Sequence, residues 1–165
     1  MTTDLASPRS LSAALASLHR RAERLLASIP QSLPLLALRV ALAIPFFRSG
    51  LTKWDGFLTL SPGARYLFEQ EFKLHIFDSQ FPYPMPLTMA AAAGIAELVL
   101  PVLLMLGLFT RYAALGLLAM TAVIQLTIPD GWANFHLPWA AMALTLVVNG
   151  GGRIALDPLV KLRRE

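Results

Sequence analysis

Four stretches of this chain are apolar over roughly the 20 residues that a helix needs to cross the hydrocarbon of a bilayer, and this limits the fold more than any other feature. They run from Leu33 to Trp54, Leu87 to Leu108, Tyr112 to Ile128 and Trp132 to Asn149. Backbone groups in lipid must bond within their own segment, so runs of this length and composition predict helices. The balance of residues agrees: 56% of the 165 are hydrophobic and 15% are charged, outside the range of an ordinary soluble domain. The expected fold is all-α, a membrane-spanning antiparallel four-helix bundle over residues 33–150, with an outer loop at 55–86.

The joints between the windows are short. Gly107 is placed to end the second helix and Thr110 to cap the third. Pro129, Asp130 and Gly131 form a turn between the third and fourth, which makes those two antiparallel neighbours. In the outer loop, Ser61 is an N-cap with Pro62 at the first helical position, which predicts one or two amphipathic turns over SPGARYLFEQEFKLHIF. The alternating prolines of FPYPMP predict an extended entry into the second span.

Lys and Arg set the orientation. Arg9, Arg20, Arg21, Arg24, Arg111, Arg153, Lys161, Arg163 and Arg164 fall on one side, whereas Lys53, Arg65 and Lys73 fall on the other. Both tails, 1–32 and 151–165, are therefore expected in the cytoplasm of a bacterium whose inner membrane the chain crosses. LSAALASLHRRAERLLASI carries leucines at helical spacing with basic residues bunched between them, which predicts an interfacial helix on the inner leaflet. The net charge of +4 comes from these ends, a pattern that points to an anionic membrane face and away from nucleic acid. Cysteine is absent, so thiol redox chemistry, thiolate zinc sites and Cys-ligated iron–sulfur clusters are excluded.

Ionisable side chains inside a span are costly and face a partner or a wet cavity. Three are deep here: Arg39, Arg48 and Glu97, with Gln125 and His136 adding polarity to the outer half. Glu97 falls near the middle of its span, and Pro101 cannot donate to its carbonyl, which concentrates two acceptors at one level. An arginine or lysine of the first span is the expected donor to it. Arg39, Phe46, Gly50 and Lys53, spaced by seven, four and three residues, share one helical stripe; Arg48 lies about half a turn away from it. The candidate site is an outward pocket formed by Glu97, Arg39, Arg48, Lys53, Phe46, Gln125, His136 and Trp139. His136 reads either as a hydrogen-bonded interface residue or as a metal ligand; the other histidines, His19 and His75, lie on opposite sides by this topology, so no two-histidine haem clamp is available and no metal site is expected.

RVALAIPFFRSGLTKW, carried by Arg39, Phe46, Gly50 and Lys53, resembles the opening of DoxX-type membrane proteins. YLFEQEFK, AELVLPVLLMLGLFTRYAALGLLAMTAVIQ and NGGGRIALDPLV are similar to later segments of the same family, with Ala155 where its ending often has Ser. The resemblance implies a four-helix membrane protein related to a small subunit of a thiosulfate:quinone oxidoreductase and to membrane partners of redox or detoxifying enzymes. The Glu97 and basic cluster beside Phe46 and Trp139, in a bundle without a redox-active residue of its own, leads to the expectation of an accessory subunit of a redox complex that binds a lipophilic molecule such as a quinone, with a redox enzyme or a second copy of the chain as partner. Two alternatives stay open: a quinone-reducing oxidoreductase subunit and a small-solute transporter.

Overall fold

The structure, a computed structural model, describes residues 8–158. Lys161, Arg163 and Arg164 of the expected cytoplasmic tail lie outside these. The chain is mostly helical: α1 (Pro8–Ala27), α2 (Ser32–Thr52), α3 (Pro62–Tyr66), α4 (Pro86–Leu106), α5 (Thr110–Thr127) and α6 (Leu137–Asn149). A π-helical turn, Leu67–Glu71, prolongs α3, and another, Trp132–His136, leads into α6. Among the described residues, α2 and α4 are long and apolar enough to cross a membrane.

Proline sits at the start of α3, α4 and α6, where its missing N–H has no intrahelical partner to lose. Ser61 Oγ accepts the N–H of Ala64 at 3.2 Å, so the expected cap forms. Gly107 ends α4 at φ 70°, a left-handed position that suits glycine. The start of α5 departs from expectation. Thr110 is the first residue of that helix, and its N–H is taken by the Asp157 carboxylate at 3.2 Å, whereas its own hydroxyl is buried without a partner. The cap therefore comes from the far end of the chain, which local spacing does not reveal.

The long loop also differs. Its helical turns stop at Glu71, and Lys73–Ile76 (β1) pairs antiparallel with Ser79–Pro82 (β2). Phe77 turns the hairpin at φ 53°, and Pro82 closes the last rung, where a strand tolerates a residue that cannot donate. The hairpin is held to α5, since His75 Nδ1 donates to the Leu126 carbonyl at 3.1 Å. The entry to α4 is not extended throughout, because Met85 is left-handed at φ 48°.

Helices α2 and α4 make the broadest contact, α4 meets α5, α5 meets α6, and α6 returns to α2. Leu42, Phe46, Leu104, Leu117 and Leu146 fill the space among them. Helices α2 and α4 approach closely: a Cβ on Gly50 would stand 3.0 Å from the carbonyl carbon of Glu97, and one on Gly94 would stand 2.8 Å from the ring of Trp54, just past α2. Trp54 thus packs onto α4.

At one end of these helices a knot of hydrogen bonds ties the residues that follow α6. Arg39 donates to the carbonyls of Leu104 at 2.7 Å, Gly151 at 3.3 Å and Met105. Arg153 N–H donates to Ser32 Oγ at 3.1 Å, and Asp157 N–H to the Gly107 carbonyl at 2.9 Å. The last carbonyls of α4 run short of donors, so the guanidinium fork of Arg39 serves the Met105 carbonyl and adds a second donor to that of Leu104, which also accepts the Gly107 N–H. The cavity described next lies at the other end.

Candidate functional site

Phase brings the site together on α2. Residues 46, 50 and 53 follow at helical spacing on the face that meets α4, so Phe46 and Lys53 point where Glu97 points from the opposite helix. Lys53 Nζ stands 2.5 Å from Glu97 Oε2, with the two side chains 13% and 5% exposed. A second N–H of the ammonium reaches Ser49 Oγ, one turn back, at 3.1 Å. An ammonium has three N–H groups, so one is left for another acceptor. Of the basic residues in or beside the first span, the partner of Glu97 is Lys53.

The pair forms part of the wall of a cavity of about 840 Å³. Its lining is otherwise mainly apolar and aromatic. Phe46 and Trp139 meet with ring centroids 5.0 Å apart, and Ala93 and Ala96 of α4 keep one wall thin. The loop supplies a roof: Phe68 meets Phe72 edge to face at 5.2 Å and Tyr83 at a tilt at 5.5 Å, and all three line the cavity. Thr127 spends its hydroxyl hydrogen on the Val123 carbonyl, so in the 2.6 Å contact between Tyr83 and Thr127 the tyrosine donates. That bond fastens the roof to the end of α5.

The π turn ahead of α6 puts His136 in the lining, 3% exposed, with its ring 5.5 Å from that of Trp139. Its Nδ1 lies 2.6 Å from Gln125 Oε1, and Gln125 Nε2 donates to the Pro129 carbonyl at 3.1 Å. Gly131 lies against the same ring: a Cβ there would come within 2.5 Å of Cε1.

The eight residues singled out from sequence therefore divide. Glu97, Lys53, Phe46, His136 and Trp139 line the cavity, and Gln125 stands behind His136. Arg39 and Arg48 do not line it. Arg39 shares the stripe of Lys53 but is fourteen residues earlier, about 21 Å along the axis, and ends among the carbonyls that close α4. Arg48 is exposed, as its phase half a turn from that stripe requires. Ser49, Phe68, Phe72, Tyr83 and Met120 also line the cavity and were not singled out. The i, i+4 spacing of Ala64, Phe68 and Phe72 is the signal that marks the roof; nothing local to Tyr83 or Met120 places them there.

The chain combines two helices long and apolar enough to cross a membrane with a charged pair set in a mainly apolar cavity. It belongs to the DoxX family, whose model matches residues 34–130. The chain is 33% identical over 146 residues to an uncharacterized protein of Haemophilus influenzae, a match covering 81% of this chain and 87% of that relative. No solved structure matches it.

Proposed function

We propose that this DoxX-family protein is an accessory membrane subunit of a redox complex that holds a lipophilic, quinone-class molecule in the cavity between α2, α4, α5 and α6. In this reading those four helices form a closed antiparallel bundle across the inner membrane of a bacterium. Residues 33–150 are the spanning domain, 55–86 lie outside, and both tails are cytoplasmic. The N-terminal helix α1 rests on the inner leaflet, its exposed Leu15, Leu18, Leu25 and Leu26 in the acyl boundary and its arginines at the headgroups.

One observation carries the ligand assignment. The cavity of about 840 Å³ is of the size that encloses a drug-sized molecule, and its apolar lining is broken by an ammonium with a spare N–H. Flat aromatic walls from Phe46 and Trp139 suit a planar ring, and the spare N–H suits a ring oxygen.

The test is a titration of the purified protein in nanodiscs with a decyl-substituted benzoquinone, followed by tryptophan fluorescence. Saturable quenching is expected, weakened about tenfold or more when Lys53→Met and Glu97→Leu are combined, in proportion to the loss of a hydrogen bond from a charged donor. Quenching that is linear in quinone, or the same in the double variant, would remove the site.

A further inference from the structure

The hydrogen bonds behind His136 fix which of its ring nitrogens carries the proton. The Pro129 carbonyl can only accept, so the Gln125 atom facing it is the amide nitrogen, at 3.1 Å. The amide oxygen of Gln125 then faces His136 Nδ1 at 2.6 Å, and an amide oxygen has no hydrogen to give. Nδ1 must therefore donate.

Among the described residues no carboxylate stands within ion-pair distance of His136, and a lone imidazolium in so apolar a setting would be costly. The ring is neutral, with its proton on Nδ1. Nε2 is left as a bare lone pair that accepts no hydrogen bond from any described residue. Gly131 packs against that edge, where a Cβ would come within 2.7 Å of Nε2. Both Gly131 and His136 line the cavity.

An unpaired acceptor on a residue that lines a binding cavity asks for a donor on the ligand. We infer that the cavity selects a ring bearing a free hydroxyl, a hydroquinone or related phenol, whose O–H donates to His136 Nε2. This rests on the quinone-class reading above and sharpens it to one redox form. A quinone carries only acceptor oxygens, and one set against Nε2 would leave two lone pairs facing each other without a hydrogen between them. The spare N–H of Lys53 serves an oxygen in either form, and Glu97 and Asp130 in the same lining are further acceptors for a ligand hydroxyl, so the share of the discrimination that belongs to His136 is the part that Gln125→Ala removes. Gln125 acts as a positioning residue: it touches no ligand and holds the tautomer.

Two measurements test this on the full chain in nanodiscs. The first compares, without oxygen, the affinities of a decyl-substituted benzoquinone and its hydroquinone, read by tryptophan fluorescence. The hydroquinone should bind about ten- to hundredfold more tightly, the span set by leaving one acceptor unpaired in the bound state. In Gln125→Ala, where the proton is free to move to Nε2, the preference should shrink severalfold while binding of the oxidised form persists or improves. Equal affinities in the unmodified protein would overturn the inference and leave the quinone-class reading standing. Failure of both forms to bind would overturn the reading and the inference together.

The second needs no ligand or substitution. With ¹⁵N-labelled histidine, the resonances of His136 should report a protonated Nδ1 and a bare Nε2. A proton on Nε2 would overturn the inference even if the cavity binds quinones.

Discussion

Lys53 and Glu97 set an energetic problem that decides what each residue tolerates. Each is a charge taken out of water, and each is acceptable because the other stands 2.5 Å away. Removing one strands its partner, whereas replacing both with apolar residues of similar size removes cost and benefit together. Lys53→Met alone should therefore destabilise the protein by about 3–5 kcal/mol, and Lys53→Met with Glu97→Leu should return it to within about 1–2 kcal/mol of the starting value. Unfolding of the single and double variants measures this; simple additivity would show that the pair is not coupled. Sequence alone placed Glu97 beside a cation of the first span, because an acid in hydrocarbon needs one. Choosing among Arg39, Arg48 and Lys53 required depth as well as phase: Arg48 fails on phase, and Arg39 fails on depth, since an antiparallel neighbour presents its C-terminal carbonyls at that level. The role of Gln125 was not legible, because it depends on a π turn eleven residues further along.

At the scale of elements, the site depends on how closely α2 and α4 approach. Gly50 and Gly94 permit it: at Gly50 a Cβ would stand 3.0 Å from the backbone of Glu97 itself. Gly50→Leu should push the helices apart one turn from Lys53, costing about 1–3 kcal/mol from overpacking and stretching the ion pair. The expected outcome is a lower unfolding temperature together with loss of saturable quinone quenching. Unchanged binding at reduced stability would mean that the cavity does not need the close crossing. The helices themselves were legible from the apolar windows and their caps, because helix starts and stops are local chemistry. The hairpin at Lys73–Pro82 was not, since its rungs are short and its support comes from α5. Nor was the Asp157 cap on α5, which spans forty-seven positions of the chain.

For the whole molecule, one end is closed by the knot around Arg39 and the other holds the cavity beneath the loop roof. If the four helices span the membrane as proposed, these ends face opposite compartments. The chain has no cysteine, so single replacements report cleanly. In intact cells Asp78→Cys, in the hairpin turn, should react with a membrane-impermeant maleimide, and Ala22→Cys in α1 should react only after permeabilisation. Labelling of both before permeabilisation would contradict the orientation. The most direct measurement of the central claim, that the Lys53–Glu97 cavity holds a quinone-class molecule, is native mass spectrometry of the protein released from its own membrane. The unmodified chain should carry an added mass that fragments as a prenylated ring, and the Lys53→Met, Glu97→Leu protein, folded to the same degree, should lose it. A bare chain, or an adduct retained equally by the folded double variant, would contradict the account.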